Sequence, residues 1–204
     1  MLDIRPLHPL FAAEVIGLDL SRPLPQEVVD QVRAAFQRYS VLVFRDQDIT
    51  DEQQVAFSRL FGDLETTRAG AADAGGFLIR LSNIGPNGEI VPPSDKQVLN
   101  NKANQQWHAD SSFKAVPAKA SLLSARIIPS AGGNTEYISM RAVHQALDEE
   151  TKARIDGLIT IHDFDYGRRK IDPNLVSAQE REAVPPVRQA MVLDHGADGK
   201  SLYL

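Results

Sequence analysis

The first quarter of the chain combines a helical apolar pattern with a strand-like one. After Pro25, apolar residues recur every three or four positions, as on the buried face of a helix: Val28, Val32, Ala35, Phe36 and Tyr39. The next residues, 41–44, form a continuous apolar run that is too short for a helix and rich in β-branched and aromatic side chains. The pattern predicts a helix whose start is set by Pro23 and Pro25, followed by a strand buried on both faces.

A second helix is predicted to begin at Thr50. Gln53 follows three residues later, which is the spacing of a capping box. Gly62 is placed to end this helical stretch in the left-handed conformation. We expect the buried face of the helix at Val55, Ala56 and Leu60.

The rest of the chain is irregular at first and then rich in predicted strands. Residues 65–77 show neither period and contain many Ala and Gly, which predicts a surface loop or lid. Residues 89–101 are also expected to be irregular. Short helices are predicted at about 140–147 and 177–183. Strands are predicted at residues 77–82, 121–128, 135–139, 158–164 and 188–193.

The C-terminal residues predict a hairpin that is cut short. Asp198 and Gly199 are a hairpin turn signal. The strand that follows, residues 201–204, stops within an apolar run instead of a polar tail. We therefore expect one domain over residues 1–204, incomplete at its C-terminus.

Composition narrows the chemistry and the partners. The 204 residues contain no Cys, so any bound metal must use His, carboxylate or carbonyl ligands. The chain has 22 Lys and Arg against 27 Asp and Glu, a net charge of −5, which argues against nucleic acid as a partner. No apolar run approaches the ~20 residues of a membrane span, so we expect no membrane partner and a cytoplasmic location.

Trp107–Asp110 is the strongest local signal for chemistry. On a strand, His108 and Asp110 would point to the same face and place an imidazole and a carboxylate on one metal ion. A surface His beside a solvated Asp is an equally good interpretation of these residues alone, because a His-x-Asp pair arises often by chance.

The sequence around this pair resembles a known enzyme family. Asn-Gln-Gln-Trp-His-Ala-Asp-Ser-Ser-Phe at residues 104–113 and Pro-Ser-Ala-Gly-Gly-Asn-Thr-Glu at residues 129–136 are similar to the taurine dioxygenase/2,4-dichlorophenoxyacetate dioxygenase (TauD/TfdA) family. These proteins are iron(II)- and 2-oxoglutarate-dependent dioxygenases. Further similarity, to the herbicide-degrading branch, lies at residues 7–13, 40–45 and 61–62.

The resemblance implies roles for individual residues. His108 and Asp110 match the first two members of the family's 2-His-1-carboxylate iron triad, which leaves three positions for 2-oxoglutarate and for water or O2. Thr135 matches a threonine that donates to a 2-oxoglutarate carboxylate. Asn104 and Arg68 are candidates for binding the anion of a small organic substrate, and a guanidinium suits a carboxylate or sulfonate.

The resemblance also implies residues that this sequence does not show. The family's distal His, the third iron ligand, and the Arg that pairs with 2-oxoglutarate lie downstream of the position equivalent to Leu204. We therefore expect the polypeptide to continue beyond that residue. If it does not, the third ligand must be His144, His162 or His195; the last of these is otherwise expected near the substrate.

The implied fold is a double-stranded β-helix, or jelly roll, mainly β with flanking helices (α+β). The implied activity is hydroxylation of a small anionic substrate, for instance an aryloxyalkanoate such as 2,4-dichlorophenoxyacetate, with succinate and CO2 as further products. Two alternatives stay open: a different cupin-like metal enzyme and a non-catalytic jelly-roll binding module. The sequence leaves the oligomeric state open, a homo-oligomer included.

Overall fold

The computed structural model describes residues 1–66 and 76–204 and divides the chain into two compact units. The first unit contains Met1–Leu64, Lys119–Arg154 and Leu193–Leu202. The second contains Glu65–Ala118, Ile155–Val192 and Tyr203–Leu204. No helix among the described residues is long and apolar enough to cross a membrane.

A small mixed sheet and one long helix form the N-terminal part of the first unit. Strands β1 (Asp3–Pro6) and β2 (Ala13–Ile16) pair antiparallel, and β3 (Leu42–Val43) adds parallel to β2. The predicted helix is confirmed as α1 (Gln26–Tyr39), with Pro25 at its N-cap. The predicted strand is confirmed in position, but it is only two residues long and half-buried instead of buried on both faces.

Helix α2 (Asp51–Ser58) begins with the predicted capping box. The Gln53 backbone N–H donates to Thr50 Oγ1 at 3.3 Å, and the Thr50 N–H donates to Gln53 Oε1 at 2.7 Å. The buried face was predicted wrongly, because Ala56 is exposed whereas Gln54 is buried beside Phe57. Burial of the Gln54 amide is tolerated since it donates to Leu122 O and accepts from Arg126 Nη2, both at 3.2 Å.

Phe57 belongs to the core cluster of the first unit. Its ring contacts the rings of Phe44 and Phe61 edge to face, with centroids 5.4 and 5.6 Å apart. Gly62 ends the following 3-10 turn with a φ of 143°, a glycine-specific region that is extended and not the left-handed helical conformation predicted. The buried members of the core cluster are Leu20, Val32, Ile49 and Phe57.

The C-terminal elements include the predicted helix and hairpin. Helix α4 (Met140–Ala146) is followed by α5 (Glu149–Ile155). Strands β6 (Val192–Asp194) and β7 (Lys200–Leu202) pair across a turn that contains Asp198 and Gly199, and β7 packs against α4. The helix predicted at 140–147 and the hairpin turn are confirmed.

The described residues of the second unit form one antiparallel strand pair and three short helices. Strand β4 (Ile159–His162) pairs with β5 (Val187–Ala190), which confirms the strands predicted at 158–164 and 188–193. Helix α7 (Ala178–Ala183) confirms the helix at 177–183. Two helices were not predicted, α3 (Lys96–Ala103) and α6 (Phe164–Arg169). Most of α3 lies in the stretch that was predicted to be irregular.

Three predicted strands are not formed. Residues 77–82, 121–128 and 135–139 have no regular structure. Their apolar side chains are largely exposed, as at Ile127 (75%) and Ile138 (55%), because no strand among residues 1–66 and 76–204 pairs with them. The described residues therefore form three small sheets, of three, two and two strands, among helices. A complete double-stranded β-helix stays a prediction, and most of the predicted lid, residues 67–75, lies outside the described residues.

Candidate metal centre

The His-x-Asp pair lies in an irregular segment that follows α3. Asp95 caps the start of this helix by accepting from the Gln97 N–H at 2.7 Å, and Asn104 is the C-cap. Residues 107–109 have no regular structure, so the strand expected here is wrong. The predicted proximity is nevertheless confirmed, because His108 Nε2 lies 3.1 Å from Asp110 Oδ1.

Hydrogen bonds determine the protonation state of the His108 imidazole. His108 Nδ1 lies 2.7 Å from the Gln106 carbonyl oxygen, which only accepts, so Nδ1 carries a proton. The side-chain hydrogen bond with Asp110 raises the pKa of His108, with the Gln106 carbonyl acting in the same direction, while burial and the charge of Arg168 lower it. Without metal, Asp110 therefore favours the imidazolium form.

The same arrangement fits a divalent iron ion. With Nδ1 held by a carbonyl, the nitrogen left for a metal is Nε2, and it faces the carboxylate. Imidazole nitrogen and carboxylate oxygen are the donors of non-haem iron(II) sites. Both side chains are accessible, with exposed fractions of 45% for His108 and 58% for Asp110.

His108 and Asp110 are two candidate ligands, and the described ranges contain no group of three His, Cys, Asp or Glu that could hold a metal. The other histidines considered have different surroundings. His162 is buried on β4, where its Nε2 lies 2.9 Å from Thr160 Oγ1. His195 Nε2 lies 2.7 Å from Ser201 Oγ, and His144 lies on α4. The third iron ligand stays a prediction.

Side chains from other elements of the second unit hold the segment that carries the pair. Before His108, Gln106 Nε2 donates to the Gly167 carbonyl of α6 at 3.2 Å. After Asp110, Gln189 Nε2 of β5 donates to the carbonyls of Ser112 and Lys114 at 3.3 and 2.9 Å. Sequence reasoning missed both glutamines, because their partners are backbone carbonyls up to 77 residues away.

The other predicted site residues are Asn104, Thr135 and Arg68, and the structure describes the first two. Asn104, four residues before His108, is exposed. Its backbone N–H donates to the Asn100 carbonyl at 3.1 Å. Thr135 is exposed in the first unit, in a segment that is neither helix nor strand. Arg68 lies outside the described residues. The substrate and cosubstrate roles of these three residues stay predictions.

Comparison with known proteins covers almost the whole chain. Residues 3–204 match the model of the family described as "Taurine catabolism dioxygenase TauD, TfdA family". The chain is 36% identical to the alpha-ketoglutarate-dependent 2,4-dichlorophenoxyacetate dioxygenase of Cupriavidus pinatubonensis, over 96% of this chain and 70% of that protein. It is 39% identical to the (S)-phenoxypropionate/alpha-ketoglutarate-dioxygenase of Sphingobium herbicidovorans, over 83% of this chain and 56% of that protein.

Solved structures are similar over the same range. The crystal structure of AAD-2 in complex with Mn(II) and N-oxalylglycine is 42% identical, with a TM-score of 0.93, and the match covers all of this chain and 73% of that one. A taurine dioxygenase from Burkholderia xenovorans is 26% identical, with a TM-score of 0.72, over 99% of this chain and 62% of that one.

Proposed function

Because the chain belongs to the TauD/TfdA family of iron(II)- and 2-oxoglutarate-dependent dioxygenases, we propose that it hydroxylates an aryloxyalkanoate or a closely similar small organic anion. Family membership confirms the resemblance based on residues 104–113 and 129–136 and sets the cofactors as Fe(II), 2-oxoglutarate and O2. One observation carries the site assignment: the donors of His108 and Asp110 face each other at 3.1 Å.

His108 and Asp110 are the residues that would hold the iron. His108 offers Nε2 once that atom has lost its proton, while the Nδ1–H bond to Gln106 O keeps the ring oriented. Asp110 offers an anionic oxygen and lowers the positive charge of the site. Bound iron(II) supplies the redox chemistry that couples decarboxylation of 2-oxoglutarate to hydroxylation of a substrate C–H bond.

The substrate class follows from the relatives and from the candidate anion-binding residues. Relatives at 36 and 39% identity are named for 2,4-dichlorophenoxyacetate and (S)-phenoxypropionate. Arg68 and Asn104 are assigned to the substrate carboxylate, and Thr135 to a carboxylate of 2-oxoglutarate. Hydroxylation of the carbon beside the ether oxygen gives a hemiacetal, which collapses to a phenol and an oxo acid.

Succinate release with a panel of anions tests this proposal. The purified protein is supplied with Fe(II), 2-oxoglutarate and O2, and then with 2,4-dichlorophenoxyacetate, (S)-phenoxypropionate, taurine or an alkyl sulfate. We expect succinate and a phenol in equal amounts with an aryloxyalkanoate, and less succinate with taurine or the sulfate ester. Coupled turnover only with taurine or the sulfate would refute the substrate class, and metal-dependent chemistry without succinate would favour a different cupin-like enzyme.

A further inference from the structure

The metal-binding loop, residues 104–116, contains no helix or strand. Its backbone bonds are local turns, such as Gln106 N to Ala103 O and Lys114 N to Ser111 O. Ser111, directly after Asp110, has a φ of 57°, a left-handed conformation that costs free energy in a residue other than glycine. Such a backbone persists only when surrounding contacts hold it in place.

Gln189 supplies such a contact from a fixed position. It lies opposite Thr160 in the β4–β5 pair, and the Thr160 hydroxyl is 3.2 Å from its carbonyl oxygen. Its side-chain amide nitrogen lies within hydrogen-bond distance of two loop carbonyls, 3.3 Å from Ser112 O and 2.9 Å from Lys114 O. A neutral primary amide has the two donors that this bridge requires and brings no charge near the metal ligands.

A second contact holds the same stretch of the loop. The Phe113 ring lies edge to face on Phe164 of α6, with centroids 4.9 Å apart, and Phe164 is 3% exposed. The Phe113 contact therefore holds the loop against α6. Gln189 bonds the backbone carbonyls of the two residues that flank Phe113. Asp110 lies two residues before Ser112, so a movement of the backbone at Ser112 would also move the Asp110 side chain.

We propose that Gln189 is a positioning residue that sets the metal affinity of the His108–Asp110 pair by fixing the loop backbone two residues beyond Asp110. This inference rests on the proposed function, since it takes the pair as the iron site. Groups that hydrogen-bond directly to metal ligands typically account for about 10- to 100-fold in metal affinity. Because Gln189 acts through the loop backbone, loss of its bridge is expected to cost about tenfold, the lower end of this range.

Gln189→Glu is the sharpest test, because the side chain keeps its size while both amide donors are replaced by an oxygen that faces two carbonyls. Gln47→Glu is a matched control in the first unit: Gln47 Nε2 also donates to two carbonyls, those of Leu18 and Arg45, both at 2.8 Å. Gln189→Met is a second variant that fills the same space without a charge, in case the carboxylate prevents folding.

Three measurements separate positioning from general destabilisation. Mn(II) affinity is measured by electron paramagnetic resonance, loop order by hydrogen exchange of residues 108–114 without metal, and ligand geometry by the d–d absorption of the Co(II)-loaded protein. We expect the Gln189 variants to bind Mn(II) about tenfold more weakly, to exchange faster in the loop and to show a changed Co(II) spectrum. Gln47→Glu is expected to lower stability without changing these three properties.

Different results would contradict the role of Gln189 and the assignment of the metal site. Wild-type Mn(II) affinity in folded Gln189 variants would overturn the positioning role, even if loop exchange were faster. Equal losses of Mn(II) affinity in Gln47→Glu and Gln189→Glu would also overturn it, since the effect would then be general. If His108→Ala bound Mn(II) as tightly as the wild type, the site assignment itself would fail, whatever the Gln189 variants did.

Discussion

The charge of Glu180 is expected to stabilise the folded protein and to lose this effect in acid. One of its partners lies on α3, the helix that precedes the metal-binding loop. It completes a capping box at the start of α7, where Oε2 accepts from the N–H and the hydroxyl of Ser177, both at 2.9 Å. The same oxygen lies 3.0 Å from Nζ of Lys96, the first residue of α3. At its other end, α3 leads through Asn104 to His108. Replacing Glu180 by Gln removes the charge but keeps the shape of the cap.

The size of the effect follows from the pKa of the carboxyl group. Burial raises the pKa of Glu180, but the hydrogen bonds from Ser177 and the ammonium of Lys96 outweigh it and lower the pKa from its ordinary value of 4.5 to about 2. A difference of 2.5 units corresponds to about 3 kcal/mol at ~1.36 kcal/mol per unit. Since the Lys96 side chain is 60% exposed and screened by solvent, we expect about 1–3 kcal/mol.

The pH dependence distinguishes this contribution from a packing effect. The folded pKa is lowered, so the stabilisation is fully present above pH 4.5 and is lost as the pH falls toward 2. Urea unfolding of the wild type and Glu180→Gln at several pH values measures it. Glu149→Gln is a matched control, because Glu149 pairs with Lys152 at 2.8 Å but is 88% exposed. If Glu180→Gln is as stable as the wild type at pH 7, or if it is less stable by the same amount at pH 2, the Glu180 charge does not make this contribution.

Three further predictions concern cosubstrate, substrate and pH. Thr135→Ala should raise the 2-oxoglutarate requirement roughly tenfold to hundredfold and leave Mn(II) binding intact, because one hydrogen bond to a charged group contributes about 1.5–3 kcal/mol; an unchanged requirement would reduce Thr135 to a structural residue. Asn104→Ala should raise KM for the aryloxyalkanoate more than KM for 2-oxoglutarate, and equal changes would contradict its assignment to the substrate. Burial lowers the pKa of His162, although a hydrogen bond with the Tyr203 backbone acts in the opposite direction. The stability of the folded protein should therefore fall as the pH drops below 6.5. His162→Gln should remove this dependence, which a chemical denaturation series measures; an unaltered pH profile would exclude His162 as its source.

The sequence predicts local features of this fold well. The capping box at Thr50 and Gln53 depends on residues three apart, and both of its hydrogen bonds form. The buried face of the same helix was predicted incorrectly, because the burial of Gln54 depends on partners 68 and 72 residues away. The residue types at 121–128 and 135–139 predicted strands, whereas a strand also requires a neighbouring strand to accept its hydrogen bonds.

The candidate site shows the same division between local and distant information. Spacing and family resemblance together indicated that His108 and Asp110 share one face, and the side chains do face each other. The reason is different from the one predicted, because a turn-rich loop held by Gln106 and Gln189 replaces the expected strand. An amide that bonds backbone carbonyls leaves no pattern in the sequence, so the contacts that hold the metal-binding loop become visible only in the structure.

Iron-dependent succinate formation by Asp110→Ala at limiting Fe(II) tests most directly whether the His108–Asp110 pair holds the iron. Iron binding is measured in parallel by anaerobic titration, and His108→Ala serves as the companion variant. We expect both variants to bind Fe(II) more weakly than the wild type and to form no succinate, because removing either donor leaves the site with one fewer ligand for a hard divalent ion. Near-normal succinate formation by Asp110→Ala at limiting iron would contradict the assignment of this pair as the iron site.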